Sequence, residues 1–593
     1  MQTIPEFLLP ALSGSNERIL GERGTDGQWL FLTAAELLTR IRAVAGALSE
    51  LGVIAGDRVA IIAPNSVDWI VVDLGVIFAG CVSVPIFPTQ ALDQIHYILA
   101  DSEAKVVFAA TPDDARRFSL IAPKGIQIIS FVGEGTESLG DFERRGRMWI
   151  ESEHVEQQSD PATRNAEDLA VLIYTSGTTG EPKGVMLSHR NLTSNGRSVI
   201  EYAYSHLKKG DAVLSVLPFA HIYEHLAIFV YLVKEFQYHL TVPENVLEDL
   251  RSVRPVAINL VPRICERVIA GIVSRARSSG GIQATLVPWA LAIGRAYMKT
   301  RFEGRSPSFF LCLKYFLARH LVLKKLRKRL GLDRLCQGVS GSAAMHPDIA
   351  LTFASADIII YQGYGLTETS PGVSINRPEE NRFGTVGHPL PGVEVRIASD
   401  GEILVRGPNV MMGYYHRPGE APIDSEGWFS TGDIGFLDAE GFLSITDRKK
   451  ELMKTTGGKY ISPSRIESAI KRSMYISQVI VVGHGRPHPA ALVVPNWDLV
   501  SQDFGLEYLS SEQIAAREDV RDFICREVYH NTIELAPFEQ VLRVALFSRD
   551  LTIEEGELSP TLKVRRRFVE SQYAGLVESV YALEIRSRGD ARP

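Results

Sequence analysis

Along the first third of the chain, apolar residues switch repeatedly between helical and extended spacing. Thr33 and Glu36 form a capping-box pattern ahead of LLTRIRAVAGALSELG, which predicts a helix ending near Gly52. A strand at residues 58–63, a helix at 67–80, a strand at 82–86, a helix at 92–100 and a strand at 105–109 follow. That alternation predicts a doubly wound α/β layer on a parallel sheet. The most apolar stretch, residues 74–87, is too short to span a bilayer and reads as a buried helix running into a strand.

Further β-rich runs at 169–174, 212–217, 257–261 and 358–361 each end in polar or glycine-rich residues. Ligands of open parallel sheets gather beyond the carboxyl ends of strands, so these four junctions are the first places to look for a site. From about Gly384 the texture changes to short alternating segments, VEVRIA, GEILVRG and GFLSITD, which predict a small antiparallel sheet or barrel over about 382–447. The charged run Asp447, Arg448, Lys449, Lys450 and Glu451 marks a boundary. The expected organisation is a large N-terminal domain, 1–448, and a compact α+β C-terminal domain, 449–593. The latter carries a helix at 464–474, strands at 478–482 and 490–494, a long helix at 511–531 and one more strand.

With 593 residues the chain needs several cores, and its 45% hydrophobic and 22% charged residues describe an ordinary globular protein. A net charge of −7 provides no overall field for nucleic acid. Cys81, Cys265, Cys312, Cys336 and Cys525 are scattered, without the short spacing of a zinc or redox pair, and the start lacks the pattern of a signal peptide. The expectation is a cytoplasmic protein in a reducing compartment.

The densest chemistry lies in YTSGTTGEPKG, residues 174–184. Its glycines let the main chain turn tightly, the hydroxyls of Thr175, Ser176, Thr178 and Thr179 add donors beside Gly177 and Gly180, and Lys183 adds a positive charge. Such a loop suits a polyphosphate. Pro182 before Lys183 and Gly184 after it do not fit a Walker loop. A second cluster, YQGYGLTETS, sets Gln362, Gly363 and Gly365 around Tyr364, whose ring is then free to lie on a flat group, and places the Thr367 hydroxyl next to the Glu368 carboxylate. A third, GWFSTGDIGFLDAEGFLSITDRKKELMKTTGGKYISP, offers Asp433 as an acceptor for paired hydroxyls and Arg448 as a donor to the same group.

These motifs resemble those of the adenylate-forming superfamily of acyl-CoA synthetases, luciferases and peptide-synthetase adenylation domains, in its order and spacing over roughly residues 25–570. The resemblance implies a mobile C-terminal domain hinged near Lys450. It implies ATP and magnesium as cofactors, coenzyme A as co-substrate, and a fatty acid as the acid. By resemblance Tyr364 packs on adenine, Thr367 meets the α-phosphate, Glu368 and Thr175 hold magnesium, and Gly341, Ser342 and Ala343 border the adenine edge, with Ser342 where a second glycine is common. Asp433 and Arg448 would hold the ribose, and His221 would flank the acyl carboxylate. Gly457 and Gly458 would line the pantetheine channel, and Lys563, preceded by Leu562 where glycine is commoner, would enter the site during adenylation.

Taken alone, each residue also has a plain structural reading: Asp433 a turn residue, His221 a core cap, Gly457–Gly458 a turn needing positive φ, Lys563 one of a solvated basic run. Residues 261–263 and WALAIG, 289–294, resemble the long-chain branch. Transfer of the adenylate to an acyl-carrier protein and a non-catalytic nucleotide- or lipid-binding relative stay open as alternatives. The stretch KYFLARHLVLKKLRKR, 314–329, reads either as a helix with its apolar side on the core or as one lying on an anionic membrane surface. The oligomeric state is open, a homodimer being one option.

Overall fold

The computed structural model describes residues 2–13, 17–133, 137–152, 164–175, 181–242, 244–278, 281–559 and 564–582. Among them, a seven-stranded and a nine-stranded sheet form the large N-terminal part. In the smaller of the two, Arg58–Ile62 has Val82–Ile86 and Val106–Ala109 parallel on either side. The larger has a parallel centre running through Gln237–Leu240, Ala212–Ser215, Ala257–Leu260, Gln337–Ser340 and Ile360–Gly365.

The strands of the alternating pattern are parallel as expected, but each sheet also carries antiparallel strands outside it. Leu169–Thr175 turns back as Lys183–Ser188 in an antiparallel hairpin, and Ile360–Gly365 pairs antiparallel with Gly372–Ile375. Short connections force this, because a parallel return needs a crossover of a dozen or more residues. The strand expected at 358–361 in fact runs through the glycines of YQGYG, because that partner strand supplies ladder bonds as far as Gly365. A Cβ on Gly365 would lie 1.8 Å from the Pro371 carbonyl oxygen, so only glycine permits the approach.

The helix opened by the Thr33–Glu36 capping box runs Ala34–Glu50, as its pattern predicts. Between the sheets lie helices buried on all sides, Val67–Phe78 and Ile222–Val233. A buried polar link joins them: Asp73 accepts from Ser83 Oγ at 2.6 Å and faces His225 Nε2 at 3.0 Å, all three side chains closed to solvent. Such a buried group is tolerable because each carboxylate oxygen has a partner.

The alternating segments after Gly384 form a four-stranded antiparallel sheet, Glu394–Ile397, Glu402–Arg406, Phe429–Leu437 and Leu443–Arg448. Beyond it, Ile476–Val482, Ala490–Pro495 and Val544–Leu546 make a three-stranded sheet with its own apolar clusters. The long helix expected at 511–531 is two, Ser511–Ala515 and Glu518–Thr532, because the chain turns extended at Arg517 (φ −73°, ψ 133°). The first of them opens with its own capping box on Ser510.

Helices Ala34–Glu50 and Leu139–Glu151 cross where Gly46 faces Gly146, and a Cβ on Gly146 would sit 1.7 Å from the Ala43 carbonyl oxygen. Backbone on both sides of the contact leaves nothing soft to yield. Gly146→Ala is expected to cost about 2 kcal/mol or more, read as a lower thermal midpoint than wild type; an unchanged midpoint would show that the helices separate freely.

Candidate active site

The carboxyl ends of the two large sheets open onto one cavity of about 1430 Å³, bordered also by the four-stranded sheet and by residues of the C-terminal part. From the seven-stranded sheet it receives Thr175 and Lys183, which are paired across the hairpin. From the nine-stranded sheet come His221, Gly341, Ser342 and the run 363–368. Three of the four junctions singled out by pattern, those after 169–174, 212–217 and 358–361, therefore face one space together with Asn259 of the fourth run, although they belong to two different sheets.

Just behind the cavity wall, next to the lining residues Thr431 and Gly432, lies Asp433, almost wholly buried. Tyr364 Oη donates to its Oδ2 at 2.7 Å, and Arg448 Nε lies 3.0 Å from its Oδ1. Asp433 and Arg448 are register partners on adjacent antiparallel strands, which is why residues fifteen apart meet. Burial raises the Tyr364 phenol well above its ordinary value, with the Asp433 charge adding to it. For Arg448 burial opposes the charge, and Asp433, Glu451, Tyr364 and Glu368 together outweigh it, so the guanidinium is raised. The next residue, Lys449, is tied by Nζ to Asp400 at 2.6 Å and Glu402 at 2.7 Å, and its N–H donates to the Gly432 carbonyl at 2.8 Å.

Glu368 sits on a short 3-10 turn, where Tyr414 Oη donates to its Oε1 at 3.0 Å. Lys183 Nζ is 2.7 Å from Glu420 and 5.0 Å from the centre of the Tyr414 ring. Tyr414 and Glu420 carry no sequence motif of their own. Tyr414 reaches the site because its two-residue strand, Gly413–Tyr414, pairs with Val185 and Met186 just beyond the hairpin loop.

His221 is the N-cap of Ile222–Val233, and its Nδ1 accepts from the Tyr223 N–H at 3.2 Å. An accepting Nδ1 leaves the ring proton on Nε2, which lies 3.5 Å from Ser342 Oγ. His221 is thus both the helix cap and a cavity residue. Ser342 adopts φ +67°, the conformation for which glycine is the easier residue.

Not every sequence-derived residue reaches the cavity wall. Ala343 and Gln362 lie beside it, with Gln362 Oε1 accepting from the Met345 N–H at 3.4 Å. Gly457 and Gly458 occupy the turn between Met453–Lys454 and Tyr460–Ile461, away from the cavity, and Gly458 has φ +76°. Ser176, Gly177, Thr178, Thr179, Gly180 and Lys563 lie outside the described residues. The residues flanking the last of these do face the cavity: Leu558, Ser559, Val564, Arg565 and Arg567 line it, and Leu558 bridges to Val564.

Residues 16–415 match the family described as AMP-binding enzyme, and residues 450–584 match the AMP-binding enzyme C-terminal domain. The chain belongs to the AMP-binding enzyme family. Among relatives of this AMP-binding enzyme, "Long-chain-fatty-acid--CoA ligase FadD15" of Mycobacterium bovis is 34% identical, with 95% of each chain covered. "Long-chain-fatty-acid--[acyl-carrier-protein] ligase AEE15, chloroplastic" of Arabidopsis thaliana is 27% identical over 93% of this chain and 83% of that one. The fold matches the A-PCP didomain of carboxylic acid reductase from Segniliparus rugosus in complex with AMP, at TM-score 0.77 and 21% identity, covering 98% and 82% of the chains.

Behind the cavity of this AMP-binding enzyme, Glu224 is closed to solvent, held by Ser215 Oγ and, at 3.1 Å, by Asn259 Nδ2. Desolvation pushes its carboxyl up to about 7, against the lowering by those two hydrogen bonds. The folded protein therefore holds a proton that the unfolded chain releases near the ordinary glutamate value of 4.5. Stability falls as pH rises between the two values, by on the order of 3 kcal/mol. The thermal midpoint of wild type is expected to drop from pH 5 to pH 8 by more than that of Glu224→Gln; identical pH dependence in the two proteins would show that Glu224 is ionised throughout.

Proposed function

We propose that this chain is an AMP-forming long-chain fatty acid–CoA ligase. The observation that carries the reading is the single cavity in which a hydroxyl-and-lysine hairpin, the Tyr364–Asp433–Arg448 cluster and the segments flanking Lys563 converge. An apolar recess joins them, formed by Val199 of His189–Ala203 and by Leu226, Ala227, Val230 and Tyr231 of Ile222–Val233. The long-chain fatty acid ligases among the relatives, matched over nearly their whole length, support the same reading.

A carboxylate is a poor acyl donor because its leaving group would be oxide. In the first half-reaction a carboxylate oxygen of the fatty acid attacks the α-phosphorus of ATP, the bond to the β-phosphate oxygen breaks, and acyl-AMP and pyrophosphate form. Lys183 and the hairpin hydroxyls Thr175, Ser176, Thr178 and Thr179 supply cation and donors for the phosphates, and Thr367 supplies a hydroxyl for the α-phosphate. Tyr364, with Gly341 and Ser342, borders the adenine, and Asp433 with Arg448 takes the ribose hydroxyls. The Nε2–H of His221 points a donor at the carboxylate end of the apolar recess. Lys563 balances the charge that builds between carboxylate and α-phosphate.

In the second half-reaction the thiol sulfur of coenzyme A attacks the acyl carbon, the acyl–phosphate bond breaks, the thiol proton is lost, and AMP leaves. The chain pivots at Lys450, immediately after Lys449 is fixed by Asp400 and Glu402. The present arrangement turns residues of 553–559 and 564–570 to the cavity, with Gly457–Gly458 off its wall, so the pivot exchanges these two faces.

Glu368, Thr367 and Thr175 offer only oxygen ligands, which suits magnesium. Among the described residues no three His, Cys, Asp or Glu side chains cluster as a metal cage, and magnesium typically takes one or two carboxylates and fills its shell with water and phosphate oxygens. When bound, the ion neutralises phosphate charge. Because a long-chain acid partitions into bilayers, this reading includes peripheral work at a membrane face. No helix among the described residues is long and apolar enough to cross one.

Pyrophosphate release is the test. Release that requires ATP, magnesium and a long-chain acid, with acyl-CoA formed on adding coenzyme A, is the expected outcome. Lys563→Ala should lower the adenylation rate by about a hundredfold or more, while leaving thioester formation from supplied acyl-AMP nearly intact. Acyl-AMP that turns over only with an acyl-carrier protein would replace the acceptor, and no acid-dependent release would overturn the reading.

A further inference from the structure

The helical run Phe309–Ala318, Arg319–Leu323 and Lys324–Arg329 has two unlike faces. One is docked on the protein: Tyr315, Ala318, Val322 and Leu323 are buried, the Tyr315 ring stacks on Tyr297 with centroids 4.0 Å apart, and Tyr315 Oη donates to the Ser355 carbonyl at 3.1 Å. Arg319 locks the same side through Asp357 at 2.6 Å.

The other face holds Phe309, Phe310, Leu313, Phe316, Leu317 and Leu321, which recur at helical spacing and are all exposed, Phe309 and Phe310 to 75% and 73%. Large apolar side chains grouped in this way, and not scattered singly, mark an interaction surface.

What the surface binds is decided by charge. From Phe309 to Arg329 the sequence contains seven Lys or Arg residues and no Asp or Glu, in a chain whose net charge is −7. Lys314, Lys324, Lys325, Lys328 and Arg329 are exposed and form no ion pair among the described residues. A second copy of this chain docking face to face would bring these cations against their equivalents. An anionic bilayer satisfies both halves, accepting the phenyl and leucyl side chains below its headgroups while the cations meet the phosphates.

We propose that this helix is a membrane-docking element that seats the protein on anionic lipid, apolar turns inserted and the Lys324–Arg329 end at the headgroups. None of its residues lines the cavity, so docking leaves the cavity open.

Flotation of the full chain with phosphatidylcholine vesicles, with and without phosphatidylglycerol, tests this without ATP, acid or coenzyme A, and so independently of the ligase reading. Wild type is expected to float with the anionic vesicles at low salt and to dissociate at high salt. The doubly substituted Phe310→Ser/Phe316→Ser and the triply substituted K324E/K325E/K328E proteins should each lose about tenfold or more in partitioning, with thermal midpoints close to wild type. The charge variant touches only exposed side chains, and so keeps the test valid if the phenylalanine variant folds poorly. Failure of wild type to float with anionic vesicles, or equal partitioning of wild type and the charge variant, would overturn the proposal. A wild-type dimer in sedimentation that Phe310→Ser/Phe316→Ser dissociates, with no vesicle binding, would assign the face to a second copy instead.

Discussion

The cavity depends on the buried carboxylate of Asp433. It joins a strand of the nine-stranded sheet, through Tyr364, to the last strand of the four-stranded sheet, through Arg448. A buried charge is costly unless its partners are in place. Here each partner comes from a different layer, so the carboxylate is satisfied only when the layers are assembled. Lys449 then pins the chain to the same small sheet immediately before it enters the C-terminal part.

The second constraint is the apolar layer between the two large sheets. Val67–Phe78 and Ile222–Val233 are covered on all sides, and the Asp73–Ser83–His225 cluster holds them in one register without a solvent-facing group. This fixes where Ile222–Val233 begins, and so where its cap, His221, meets Ser342 at the cavity. The same helix supplies Leu226, Ala227, Val230 and Tyr231 to the recess, so the polar and apolar ends of the site are set by one rigid element.

Outside the cavity the molecule separates its surfaces by chemistry. The acidic overall charge and the local basic, aromatic helix at Phe309–Arg329 are opposite in character, and within that helix Arg319 is tied to Asp357 on the docked side while a row of apolar side chains faces outward. A local field of this sort acts within about 8 Å at physiological salt, which confines it to whatever lies directly against the helix.

Much of this was legible before folding. Capping boxes and period changes located Ala34–Glu50, Val67–Phe78 and Val82–Ile86 within a residue or two, because caps and burial periodicity are local properties. The motifs YTSGTTGEPKG and YQGYGLTETS identified the family, since their residue types and order carry the chemistry. What the sequence could not decide was set by long-range pairing. The hairpin return of Lys183–Ser188 and the Gly413–Tyr414 pairing that brings Tyr414 to Glu368 depend on strand neighbours far apart in the chain. The placement of Gln362 beside the cavity and of Gly457–Gly458 away from it likewise follows from which face each element turns inward. Local propensity names the elements and their chemistry; only the tertiary structure, by demanding a partner for every buried polar group, decides which of them meet.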